Sequence, residues 1–316
     1  MDVTFQEPIY EMALNLLVTW QAHSLSTSGN NGSNRLLPRR QLLADQTETD
    51  ACSGNIAKHH HFALVTGYFA ADGCPLCSAC RVGDGRRAAA LLDQPNAPAL
   101  SCESIISTCA ACDAHGFLVT AKKADEETET AARQRLSKAT LLDFSYALAL
   151  PDFHSETSQL HTRVGASKEE GQMIMKVSTR SGAYALCIRY LCAGIGADTE
   201  HWQLFVKDPL LREKRHRAIL RALRDSLVSP DGAQVATMLP HLTSLSGAIT
   251  VRTQMGRAPL YSALESDFVT RLQAMADETC QVYPFETVDG FYALMNAFIT
   301  ASVPALHPFW VTEAAG

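Results

Sequence analysis

The sequence predicts an α+β protein. Strand-like and helix-like segments alternate irregularly and are separated by long polar or Gly/Cys-punctuated insertions. No G-x-G-x-x-G follows a strand and no Walker lysine loop is present, so a doubly wound nucleotide-binding sheet loses its main support. The 316 residues are 47% hydrophobic and 19% charged, enough for one elaborated domain with a sizeable core. No internal repeat and no Gly/Ser linker divides the chain, so residues 1–316 read as a single elaborated domain.

The elements follow in order. Residues 10–26 mix apolar residues with Val, Thr and Trp and read as a strand. Residues 28–52 read as a long loop, and long ordered loops tend to be functional. Gly29, Asn30, Asn31 and Gly32 reach backbone angles most residues avoid. Asn34, Arg35, Arg39 and Arg40 follow with no acid among them. Residues 53–69 read as a helix capped by Ser53, with Ile56, Ala57, Phe62, Leu64 and Tyr68 as its inward stripe.

Residues 72–115, rich in Gly, Pro and Cys, look like an inserted lobe with little core of its own. Residues 116–121 return as a strand, 122–135 as an exposed charged turn or a disordered excursion, and 139–150 as a core strand. Residues 151–179 are polar and predict a protruding hairpin or flexible lobe; they hold His161, Arg163, Lys168 and Lys176 beside Met173, Ile174 and Met175. Residues 183–193 form a strand. Residues 209–227 form a helix with Ile219, Leu220, Leu223 and Leu227 inward and its basic residues mostly outward. Residues 243–253 are a strand entered through Gly247, and 267–277 and 288–301 are helices.

Ten cysteines are many for a chain without an export signal. The first residues carry acids and no basic n-region, and no apolar run nears the ~20 residues of a membrane span, so a cytoplasmic, membrane-free protein is expected. Cys77-x-x-Cys80 and Cys109-x-x-Cys112 are paired knuckles suited to a structural zinc ion. Cys74 is a competing first ligand and Cys102 a spare, so which four of the six clustered cysteines bind metal stays open. In His59-His60-His61, neighbours on a helix point about 100° apart and cannot share one ion. One is expected buried, one exposed and one against a neighbour or RNA. Asp113-x-His115 reads as a turn closing the lobe. No G-x-S-x-G or H-E-x-x-H is present, so hydrolase chemistry finds no machinery.

The net charge of −6 argues against generic nucleic-acid binding, but the distribution allows a basic groove. Arg35, Arg39 and Arg40 suit phosphate. The start of the following helix, with Ser53, Asn55, Lys58 and His59, is itself favourable to anions. A second basic stretch, 207–224, is compatible with a solvated face or a contact to DNA.

In this order, the Gly/Asn turn, Asn34-Arg35, the arginines, Ser53-Gly54-Asn55 and Lys58-His59 resemble the backbone subunit of type I CRISPR Cascade complexes, in its DevR-type autoregulator branch. Cys112–Leu118 and Arg180–Tyr184 match further strings of that family. The resemblance implies an RNA-recognition-like (ferredoxin-like) palm with an inserted zinc lobe at 72–115 and a thumb at 151–182. It implies a non-enzymatic subunit polymerising with other copies along a crRNA, beside other Cascade subunits, and offering the guide to target DNA. The RNA contacts it implies are Asn34, Arg35, Arg39, Arg40, Ser53, Asn55, Lys58, His59, Arg163, Lys176, Arg180 and Ser181, with Arg180-Ser181 at the thumb hinge. The alternatives are a type III-like ribonuclease using Asp45 or Asp50, and a zinc-stabilised DNA-binding regulator.

Overall fold

The computed structural model describes residues 8–25, 27–30, 35–93, 100–121, 134–155, 159–164, 172–230 and 239–313. Six elements make its frame: β1 (Glu11–His23), α1 (Gly54–Ala71), β2 (Ala147–Ala149), β3 (Arg180–Tyr190), α2 (Pro209–Val228) and β4 (His241–Arg252). In the sheet they stand in the order β4-β1-β3-β2, every neighbouring pair antiparallel. Each helix carries the chain past one strand, so a β-α-β-β-α-β sequence closes into one mixed layer of sheet and helices.

The period of two along β1 sorts its side chains. Met12, Leu14, Leu16, Val18 and Trp20 enter the main core with Val65 and Phe69 of α1 and Leu220 and Leu223 of α2. Leu17 joins the opposite face, where Ala185 and Ala248 meet Phe268 and Leu272 of the helix Phe268–Ala274. The helix Val288–Ala301 packs against α2 and β4. Gly247 lies inside β4, at φ +151, where an added Cβ would stand 2.1 Å from the carbonyl oxygen of Asn15. Only glycine lets β4 and β1 approach so closely there.

Several expectations need correcting. Residues 28–52 are largely strands: Thr27–Asn30, Arg35–Pro38, Arg40–Leu42 and Glu48–Cys52. They form two short local hairpins, each anchored by a distant ladder, Arg35–Pro38 on Gln172–Val177 and Glu48–Cys52 on β2, and a local reading of Gly, Asn and Arg could not find those anchors. The fully buried face of α1 is Gly54, His61, Phe62, Val65 and Phe69; of the expected stripe Phe62 belongs to it, Leu64 and Tyr68 pack half-buried against the core, and Ile56 and Ala57 are half-buried. In α2, Arg212 and Arg215 are buried with the leucines, because interior carbonyls and one carboxylate receive them. The strand expected at 139–150 is two, Leu142–Phe144 and Ala147–Ala149. Both pair with β3, in registers one residue out of step, which is a bulge. The strand Cys280–Phe285, which sequence patterning missed, forms the sheet edge beside β4, and Pro284 blunts that edge.

The segment 72–115 is helical, with Ser78–Arg81, Arg87–Asp93, Cys102–Thr108 and Ala110–His115. It is not poor in core, since Ile105, Ile106, Ala110 and Ala111 are buried in the same cluster as the frame. The hairpin expected after residue 151 is present as Gln159–Val164 against Gln172–Val177. Together with Arg35–Pro38 and Thr27–Asn30 it builds a separate four-stranded sheet. The charged stretch 122–133 and the Asn31-Gly32 turn lie outside the described residues. Among the described residues, no helix is long and apolar enough to cross a membrane.

Candidate nucleic-acid interface and metal centre

The two knuckles converge. Cys77 precedes the helix Ser78–Arg81, Cys80 lies within it, and Cys109 caps the helix that carries Cys112. The four sulfurs lie within 4.8 Å of one another. Tetrahedral zinc with Zn–S bonds of about 2.3 Å holds its sulfurs roughly 3.8 Å apart, and Cys80 and Cys112 are separated by 3.6 Å. Cys74 and Cys102 stand outside this group, and Cys102 instead points at the Ser137 carbonyl, 3.9 Å away.

The helix Ala110–His115 ends at Gly116, whose φ of +73 and contact with the Lys138 carbonyl exclude a side chain. Asp113 in this helix is a hub and not a loose turn residue. It pairs with Lys138 and, at 2.7 Å, with Arg215 of α2, and it accepts from the Gly196 amide at 2.9 Å. All three charged side chains are at most 1% exposed. His115 meets His61 of α1 at 2.9 Å. His61 Nε2 donates to the Ile219 carbonyl, so its Nδ1 accepts from His115 Nε2. Burial pushes the pKa of His61 down to about 4 and that of His115 well below its ordinary value. Of the three consecutive histidines, His61 is buried, His59 exposed and His60 between.

Along the basic stretch, Arg40 opens the edge strand Arg40–Leu42 opposite Asp50, with its guanidinium 4.9 Å from the Phe153 ring. The Arg39 carbonyl accepts from the Ala51 amide, which holds the arginines against Glu48–Cys52. That strand runs directly into Ser53, whose hydroxyl accepts from the Asn55 amide at 3.3 Å and caps α1. Asn55 and His59 are exposed and Lys58 half-buried. Burial, then the charge of Arg87, lower the Lys58 pKa. The backbone of Lys176 stands opposite Arg35 in a parallel pairing, and Arg163 is in the same sheet opposite Met173. Asn34 lies outside the described residues.

Arg180 moves out of its expected role. Arg180 is 1% exposed and faces Asp50 at 3.2 Å, so it braces the interior and offers no surface to phosphate. Ser181 accepts from the Ala22 amide at 3.0 Å. Asp50 accepts from the Tyr184 hydroxyl at 2.8 Å, and that hydroxyl accepts in turn from His23. Burial pushes the Asp50 carboxyl up. It is fully buried and closed to a substrate from outside. Asp45 is in an exposed turn, where its carboxylate accepts from the Thr47 amide and hydroxyl. It therefore acts as a turn former.

None of the curated proteins matches the chain. Among solved structures, a chain of a CRISPR RNA-guided surveillance complex is similar over 92% of this chain and 99% of its own, at 10% identity and a TM-score of 0.48. A chain of such a complex in a pre-nicking state gives 11% identity over 92% and 99%, with a TM-score of 0.47. Csc2 of Thermofilum pendens gives 12% identity over 90% and 81%, with a TM-score of 0.40. The sequence match is more telling: it runs through the strands, the capped helix and the cysteine knuckles alike. Residues 15–271 match the family described as CRISPR-associated negative auto-regulator DevR/Csa2, and the chain belongs to that family.

Proposed function

We propose that this protein is a guide-RNA-binding backbone subunit of a CRISPR interference (Cascade) complex. Copies bind the crRNA side by side through its sugar-phosphate chain and leave its bases free to pair with target DNA. Family membership over residues 15–271 carries this reading. The local architecture supports it: Arg39 and Arg40 on an edge hairpin lead without a break into the capped start of α1, with Asn55, Lys58 and His59. Cations and a helix N-terminus bind phosphate whatever the base. The hairpin Gln159–Val164/Gln172–Val177 is the thumb in this reading, and Arg35 belongs to the same small sheet. Cys77, Cys80, Cys109 and Cys112 hold a zinc ion whose work is structural, since four thiolates leave no open position. The subunit performs no turnover.

The test is RNA binding as a function of salt. Affinity for mixed-sequence single-stranded RNA should fall log-linearly with salt, with a slope of about −0.7 per phosphate contacted. Protein that binds no RNA at low salt overturns the reading. The family's description favours a second reading, a regulator binding duplex DNA. Tighter binding of one palindromic duplex than of single-stranded RNA would establish that reading instead.

A further inference from the structure

We propose that the cleft between α1 and the cysteine-rich segment is a phosphate site built by Lys58 and Arg87, so that this segment supplies one wall of the guide-RNA track. This rests on the reading above and adds residues to it. The cleft has a volume of about 470 Å³, and Lys58, Arg86, Arg87 and Lys138 line it with no carboxylate in its walls. Lys138 already has its counter-charge in Asp113, and Arg86 pairs with Asp84. Among the described residues no carboxylate forms an ion pair with Lys58 or Arg87; Asp143, which acts on Lys58 from nearby, is paired with Arg189.

The fold forces these two cations together and keeps them there. Arg87 is at φ +53, a conformation side chains other than glycine rarely take. One of its terminal nitrogens donates to the carbonyls of His115 and Gly116 at 2.8 and 2.7 Å, and its guanidinium lies 5.3 Å from the Phe62 ring. Its Nε is sealed from the cleft, so a ligand there meets Arg87 through the charge of its guanidinium. Two cations lining one cleft, one of them with its positive form disfavoured, make a place an anion relieves. A phosphodiester in the cleft neutralises both. Because Lys58 is on the first turns of α1, such a phosphate continues the line from Ser53 and Asn55. A phosphodiester of single-stranded RNA is therefore the occupant.

The test is a double-mutant cycle on the full chain, read by fluorescence anisotropy with mixed-sequence single-stranded RNA. Lys58→Gln and Arg87→Gln should each weaken binding about tenfold and lower the salt slope by about one contact. The double variant should lose little more, because both residues hold one phosphate. If Arg87→Gln does not fold, Lys58→Glu takes its place and should weaken binding more than Lys58→Gln. Wild-type RNA binding with unchanged affinity and slope in the Arg87 variant, or in Lys58→Glu where Arg87→Gln does not fold, overturns the site and leaves the subunit reading intact. A second arm measures thermal protection by inorganic phosphate. Wild type that binds no RNA, yet is protected by phosphate in a Lys58-dependent way, overturns the RNA track and shows a free-phosphate site. No protection and no RNA binding overturns both.

Discussion

Asp113 shows what one residue does when it pairs with two buried cations. Lys138 and Arg215 approach it from a strand and from α2, and neither has water to fall back on. Removing one partner of such a group is far costlier than the group's net worth, because a charge is left buried and unpaired. Asp113→Asn should therefore cost roughly 3–5 kcal/mol, read as a lower midpoint in urea unfolding. A change within about 0.5 kcal/mol, as for an ordinary surface site, would contradict the hub described above. The sequence offered Asp113 only as part of a D-x-H string. Its partners are 25 and 102 residues away, and no spacing rule reaches that far. Arg180 is the same lesson in reverse, since a hinge arginine looks exposed until Asp50, 130 positions earlier in the chain, is folded against it.

At the next scale, the six-residue helix Ala110–His115 gathers three functions: Cys112 faces the sulfur cluster, Asp113 the ionic hub, and His115 the buried histidine of α1. A metal that fixes this helix thereby fixes α1. The purified protein should contain one zinc per chain by elemental analysis. Cys109→Ser with Cys112→Ser should lose it and lower the melting temperature by several degrees. Absence of stoichiometric zinc from protein prepared without chelator would refute the four-thiolate site. This part was legible beforehand, because two C-x-x-C knuckles encode their own geometry over four residues each. The capped helix at Ser53 was legible for the same local reason. The two hairpins before it were not, because the ladders that anchor them come from residues 147–177.

Over the whole molecule, the buried histidines set the response to acid. His23, His61 and His216 have pKa values depressed to about 3, 4 and 3 by burial, and His115 is also pushed well below normal. In the unfolded chain each takes up a proton near pH 6.5, so between that pH and about 4 the unfolded state binds more protons. Stability is thus complete above pH 6.5 and declines as pH falls, by roughly 1.4 kcal/mol per pH unit for each such histidine. Burial raises the carboxyls of Glu11 and Asp50 and opposes this in part. Unfolding free energy should be clearly lower at pH 5 than at pH 7, and a flat profile would mean these rings are solvated. Lys58 and the arginine strand belong to this scale too: the sequence named them, and only the arrangement of the chain adds Arg87.

The small sheet joining Thr27–Asn30 and Arg35–Pro38 to the hairpin at Gln159–Val177 stitches together two excursions that leave the main sheet more than a hundred positions apart. Neither excursion can lengthen, shorten or slip by one residue without turning the other's ladder out of step. Insertions in relatives should therefore collect at the tips of these segments and spare the rungs. A graft that swaps the hairpin alone between relatives should fail where a graft of both segments succeeds.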